Sequence, residues 1–395
     1  MKTQWKIPVV CLQPLLVLGL LLVTHATVKA DQIAKGAAAY KAGNYQKALE
    51  IFQTLAEQGN AGAQTMLGSL YDFGLGVPKD YKKAEKWYRK AAEQGNALAQ
   101  TNLGKVYANG MGVSRNYAEA VKWYRKAAEQ GVAIAQNNLG KMYYIGNGVP
   151  RDYKEALKWH QKAAEQGHVE SQFIVGGMYH EGQGVPRNYT ETVKWFRKAA
   201  EQGNAQAQEL LGEMFNEGLA AYNGGNYQKA LEIFQPLAEN GNAKAQNTLG
   251  LMYDKGLGVP QDYTNALKWY RRAAEQGHVS SQYNLALNIF YGQGVPQDYT
   301  EAVRWFRNAA EQGFSLAQYN LGFMYENGMG MPQDYIQAHK WFNLAASRLQ
   351  GKKRNDSVNN RDVIEKRITP AQVGEAQKLA REWKPKTWKE LSQQN

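Results

Sequence analysis

The sequence predicts an all-α solenoid, a stack of helix–loop–helix units, and three observations predict it. A Lys-Trp-Tyr-Arg tetrad or a close variant recurs around Trp87, Trp123, Trp159 and Trp195, then around Trp269, Trp305 and Trp341, and every step within each group is 36 residues. A self-similarity of that length marks a repeat architecture. A Gly-x-Gly break recurs in the same register, and apolar residues at helical spacing flank it on both sides.

One unit shows the elements in order. Ala61 to Phe73 carries Ala63, Leu67, Leu70 and Tyr71 on one helical face. Gly74-Leu75-Gly76-Val77-Pro78 then ends the helix, because glycine reaches positive φ and proline cannot continue the hydrogen-bond ladder. Asp80 caps the next helix by accepting from its free amides, and Asn116, Asp152, Asn188, Asp262, Asp298 and Asp334 hold the matching positions. The second helix runs through Ala84, Trp87, Tyr88 and Ala91 and stops at Gly95. A single hairpin cannot bury its apolar face, so neighbouring units must stack.

Gly68 sits mid-helix, where it costs up to about 1 kcal/mol relative to Ala. It recurs as Gly104, Gly140, Gly176, Gly212, Gly250 and Gly322, with Ala286 the substitute. The expected reason is a close crossing by the second helix. The tryptophan series is expected in the core.

The regular units fall at 61–96, 97–132, 133–168 and 169–204, then at 243–278, 279–314 and 315–350. A shorter unit, 31–60, precedes them, and an atypical one, 205–242, separates the two groups. Residues 36–60 return at 218–242 with 20 of 25 identities, an offset of 182 residues. Leu211, Phe215, Leu219 and Tyr222 keep helical spacing through this junction, which predicts one extended helix from about Ala205 to Tyr222. After the last unit, 351–395 reads as a polar connection, Lys352 to Asn360, followed by a capping helix. Thr369-Pro370-Ala371-Gln372 starts that helix, and Val373, Ala376, Ala380 and Trp383 share its inner face.

The pattern Ala-Gln-x-x-Leu-Gly-x-x-Tyr, then Gly-x-Gly-Val-Pro-x-Asp, then Ala-x-x-Trp-Tyr-x-Lys-Ala-Ala-Glu-Gln-Gly resembles the Sel1-like repeat family, relatives of tetratricopeptide repeats. The resemblance covers nearly all of 61–350. Units 31–60 and 205–242, the first with the short loop Tyr40 to Tyr45, look more like tetratricopeptide units. The resemblance implies a right-handed superhelix whose first helices line the concave surface, used as a protein-interaction adaptor in a Gram-negative bacterium. Some cysteine-rich Sel1-like proteins are described as penicillin-binding or β-lactamase-like, but the paired cysteines that mark them are absent here, which weakens that alternative.

The amino terminus has the layout of a secretory signal: Lys2 and Lys6, an apolar stretch from Ile7 to Val23, and Val28-Lys29-Ala30 as a cleavage site, giving a signal peptide over 1–30. The alternative is an uncleaved anchor. Cleavage removes Cys11, the sole cysteine, leaving no disulfide or thiolate ligand. The chain is then expected to be periplasmic or secreted, with no stable membrane insertion once the signal is gone.

The formal net charge is +12, and three of those charges lie within the leader. The stretch 351–395 contributes +5, so the repeats are only mildly basic, with Lys, Arg and Glu interspersed as on solvated helix faces. No concentrated basic stripe points to nucleic acid. No His-Glu-x-x-His, phosphate loop or dinucleotide fingerprint is present. His160 replaces the aromatic after Trp159 and reads as a packing variant, and His168 and His278 share one position between repeats, which suggests a helix-end role. No catalytic residue, cofactor or metal site is expected.

A partner, a protein or peptide, is therefore expected where the copies differ. The fifth, ninth and twelfth positions of the first helix vary and share one face. They give Phe173 and His180 in unit 169–204, Tyr283, Leu287 and Phe290 in unit 279–314, and Tyr319 and Phe323 in unit 315–350. One reading makes these aromatics a binding groove; the other packs them against neighbouring repeats or the terminal helix.

Overall fold

The computed structural model describes residues 30–393. The leader and Cys11 lie outside the described residues, apart from Ala30. Among those described, all regular secondary structure is helical. The first helices of the regular units are Ala61–Phe73, Ala97–Asn109, Ala133–Ile145, Val169–Glu181, Ala243–Lys255, Val279–Tyr291 and Ser315–Asn327. The second helices are Tyr81–Glu93, Tyr117–Glu129, Tyr153–Glu165, Tyr189–Glu201, Tyr263–Glu275, Tyr299–Glu311 and Tyr335–Arg348. The chain divides into two compact units, one built on residues up to Asn188 with Glu201–Asn204, the other on Tyr189–Ala200 with Ala205 onward.

In the first compact unit most helix starts have a local cause, Val132 being an exception without a side-chain cap. The Asp80 carboxylate accepts from the Lys83 amide, and Asn116 does the same for Glu119. Where Asn caps other units, His168 takes over: its Nδ1 accepts from the Ser171 amide at 3.2 Å. The second glycine of each break is fixed twice over. Gly148 has φ of 74°, and a Cβ there would lie 2.4 Å from the Tyr117 carbonyl of the preceding unit. The loop thus leans on the start of the previous second helix, an approach only glycine allows.

The mid-helix glycines answer the aromatic that follows each tryptophan. A Cβ on Gly68 would sit 2.7 Å from the Tyr88 ring, on Gly104 2.6 Å from Tyr124, and on Gly140 2.8 Å from His160. Trp123 and Trp159 are buried, at 8% and 5% exposure, while Trp87 is half-buried. A glutamine relay ties unit to unit. The Gln100 amide donates to the Ala92 carbonyl of the unit before at 3.1 Å, and Gln130 donates to Gln100 at 2.8 Å. The fixed tyrosine of the first helix has a similar duty, since Arg125 of the previous unit donates to the Tyr143 hydroxyl at 2.5 Å.

The second compact unit repeats these devices. Gly250 faces Tyr270 at 2.7 Å and Gly322 faces Phe342 at 3.0 Å. Trp269, Trp305 and Trp341 are all buried. His278 caps Val279–Tyr291 through Ser281. At the junction one helix runs from Ala205 to Asn223. Here the glycine series departs from expectation. A Cβ on Gly212 meets nothing within 4 Å, whereas one on Gly218 would sit 2.7 Å from Phe234. Gly36 faces Phe52 at 2.8 Å in the same way, so the duplicated segment carries its own glycine and shifts the crossing six residues along. The ring pairs Tyr40–Tyr45 (5.5 Å) and Tyr222–Tyr227 (5.6 Å) repeat with it.

The expected polar connection after the last repeat is a helix instead, Gly351–Glu365. It packs on Tyr335–Arg348 with only Ser357 and Ile364 buried, so its sequence shows almost no apolar periodicity. Glu365 reaches the fully buried His339, Oε1 to Nε2 2.8 Å, which fixes its far end. The helix Pro370–Glu382 follows, with a capping box between Thr369 and Gln372 and with Ala376 and Ala380 buried. Beyond it an extended stretch and a short helix, Trp388–Ser392, run back along the two preceding units. A Cβ on Gly277 would overlap the Trp388 indole at 2.3 Å.

Candidate binding site on the first helices

The structure sorts the seven variable-face residues into separate places. Leu287, Phe290, Tyr319 and Phe323 come together on two neighbouring first helices and line a half-open cavity of about 190 Å³. Phe306 and Met324 form its floor, Tyr291 and Asn320 its rim, and Lys353 of the following helix closes one side. Phe323 is 38% exposed and Tyr291 64%, large apolar surface left at the mouth. The Lys353 ammonium lies 4.8 Å from the Tyr319 ring centroid. Tyr319 in turn packs at 5.6 Å on Phe342 and accepts from Asn360 at 3.4 Å. Burial raises its hydroxyl above the ordinary range.

Tyr283 does not line the cavity. Its ring is wedged between Phe314 at 5.0 Å and Phe306 at 5.9 Å, and burial raises its hydroxyl as well. Position five thus serves packing alone in unit 279–314, where Phe314 lies against the ring, and both packing on Phe342 and the cavity in unit 315–350.

Phe173 lines a different cavity, about 270 Å³, in the first compact unit, with Tyr144, Ile145, Ile174 and Met178 as apolar walls and Lys141, Glu181 and Gln183 at its edge. Gly177 opens it, since a Cβ there would meet nothing within 4 Å. His160 forms its base, fully buried, and neither ring nitrogen has a hydrogen-bond partner. Desolvation, helped by Lys141, pushes its pKa down to about 4, so the imidazole is neutral near pH 7. His180 lies two turns beyond Phe173, with Nε2 3.8 Å from Glu181. Lys353 and Tyr291 escaped the comparison of copies. One lies beyond the repeats, and the other occupies the last helical position, outside the three compared.

Among the described residues, no three His, Cys, Asp or Glu side chains cluster as metal ligands, and no helix is long and apolar enough to cross a membrane.

Stacked helix pairs with an apolar pocket on their variable face define a helical-repeat scaffold. The chain belongs to the Sel1 repeat family, whose repeat matches residues 35–60, 61–96, 97–132, 133–168, 169–204, 205–242, 243–278, 279–314 and 315–348. Proteins of this family are generally protein-interaction scaffolds and typically non-catalytic. The chain is 33% identical to a solved protective antigen present in uropathogenic Escherichia coli strains, over 94% of this chain and 88% of that one, with a TM-score of 0.47. It is 35% identical to a Sel1 repeat protein from Oxalobacter formigenes, over 71% and 96%, with a TM-score of 0.42. Helicobacter pylori cysteine rich protein B is 26% identical over 33% of this chain and 95% of its own, with a TM-score of 0.28. No match was found among curated proteins.

Proposed function

We propose that this protein is a non-catalytic adaptor that captures a protein or peptide segment on the first helices of units 279–314 and 315–350, in the envelope of a bacterium or outside the cell. The cavity formed by Leu287, Phe290, Tyr319 and Phe323 carries this reading, because concave apolar surface with a few polar groups is where ligand groups are buried. Phe323 and Tyr291, exposed at the mouth, also support it, since packing of the repeats does not demand large apolar groups there. The experiment is capture of partners from a periplasmic extract by the full chain and by Leu287→Ala/Phe323→Ala. A partner retained by the wild type and lost by the variant, with melting unchanged, fits the reading. Equal retention places binding elsewhere.

The exported location is supported by the leader-like start of the sequence. A second reading, equally compatible with the leader-like start, is a secreted factor that binds a host protein. Fractionation separates the two: retention in the periplasm fits an envelope adaptor, release into the medium a secreted factor.

A further inference from the structure

The cavity on units 279–314 and 315–350 has apolar walls on one side and a cation without an acidic partner on the other. We infer that the segment it takes is acidic: a bulky apolar side chain enters between Leu287 and Phe323, and a carboxylate near it in sequence pairs with Lys353. The inference rests on the binding reading above and specifies the chemistry of its partner.

Three observations carry it. Lys353 stands at the cavity wall with its ammonium over Tyr319, and no ion pair joins it to a carboxylate among the described residues. It is flanked by Lys352 and Arg354, so the first turn of Gly351–Glu365 holds three exposed cations and no acid. Cations at the amino-terminal end of a helix oppose its dipole, and Gln350 supplies no side-chain cap. An incoming carboxylate offsets that positive charge. The local acids do not: Glu326 is engaged by Arg367 at 3.5 Å and Asp362 by Arg361 at 2.7 Å, which leaves Asp356 against three cations. Complementary charge of this kind steers encounter and selects among partners, while the apolar contact holds the complex.

The test is panning of a random twelve-residue peptide library against the full chain, in parallel with Lys353→Gln and Phe323→Ala. The expected result is peptides in which Asp or Glu lies within a few positions of Phe, Trp or Leu. That acidic enrichment should disappear with Lys353→Gln, and a selected peptide should bind Lys353→Gln about tenfold more weakly at low salt, with the gap closing as salt rises. Peptides that need Phe323 but carry no acidic bias overturn the inference and leave the binding reading standing. Peptides indifferent to Phe323 overturn both.

Discussion

The Trp383 indole donates to the Glu311 carboxylate, Nε1 to Oε2 3.1 Å, although 72 residues separate them. The Lys386 amide donates to the Glu311 carbonyl at 2.9 Å, and the Lys386 ammonium lies 3.7 Å from the same carboxylate. The Trp383 ring meets Trp341 edge-on at 6.2 Å. In earlier units a cation three residues on covers the tryptophan: Lys90 on Trp87 and Lys126 on Trp123, each 4.5 Å away, and Arg272 on Trp269 at 4.8 Å. At Trp305 and Trp341 those positions are Asn308 and Leu344, both buried. The final two repeats lack that cation and keep only Arg304 over Trp305 at 5.2 Å and Lys340 over Trp341 at 4.2 Å, and the tail packs against their core. Replacing the half-buried Trp383 with Ala is expected to lower stability by about 1–3 kcal/mol, read as a fall in the denaturation midpoint. An unchanged midpoint would mean the tail does not hold the array closed.

The two kinds of mid-helix glycine should respond with opposite signs. Gly104→Ala places a methyl 2.6 Å from the Tyr124 ring, and overpacking of about 1–3 kcal/mol outweighs the helix-propensity gain of about 1 kcal/mol. Gly212→Ala meets nothing and should stabilise by up to about 1 kcal/mol. Paired thermal melts compare the two directly.

The depressed pKa of His160 gives a defined pH dependence. The unfolded imidazole takes up a proton near pH 6.5, while the folded one resists to about 4. Stability is therefore full above 6.5 and declines as pH falls from 6.5 toward 4, by about 3 kcal/mol over the window. His160→Phe, the residue type at Phe306 and Phe342, should remove that part of the slope in urea titrations at pH 7 and pH 5. A slope of unchanged size would assign the titration to other groups.

Tyr283 and Phe323 separate packing from binding. Tyr283→Ala empties the space between Phe306 and Phe314 and should destabilise by about 2–4 kcal/mol. Phe323→Ala, at the exposed mouth, should change stability by less than about 1 kcal/mol and weaken peptide capture. Melting curves and anisotropy titrations on the same samples distinguish the effects.

The helical hairpins were legible because each boundary residue acts locally: Asp80 caps, Gly74 turns, and Trp159 recurs in register. Residues whose partner lies far along the chain left a weaker trace. Helix 351–365 has too few apolar residues for periodicity to find, since its far end is fixed by the single apolar Ile364, packed with Ala338 and Phe342, and by Glu365 on His339. The role of Trp388 depends on contact with Gly277, more than a hundred residues earlier. The split of the aromatic face follows Phe314, whose ring lies 5.0 Å from Tyr283, while Tyr319 borders the cavity. Spacing placed these residues on one side but did not reveal which space each would fill.

The glutamine relay has a consequence for how such a chain is inherited. Gln100 asks only for the Ala92 carbonyl of the unit before it, and Gln318 asks the same of Ala310. At the end Arg348 substitutes as donor to Gln318, at 3.4 Å, and makes no demand on a further unit. Whole 36-residue blocks can therefore be gained or lost by recombination without stranding a donor. The internal duplication, offset by 182 residues, is out of phase with that step by two, and the uninterrupted helix Ala205–Asn223 bridges the seam. Changes in gene length that would ruin a compact fold thus lengthen or shorten this chain one repeat at a time.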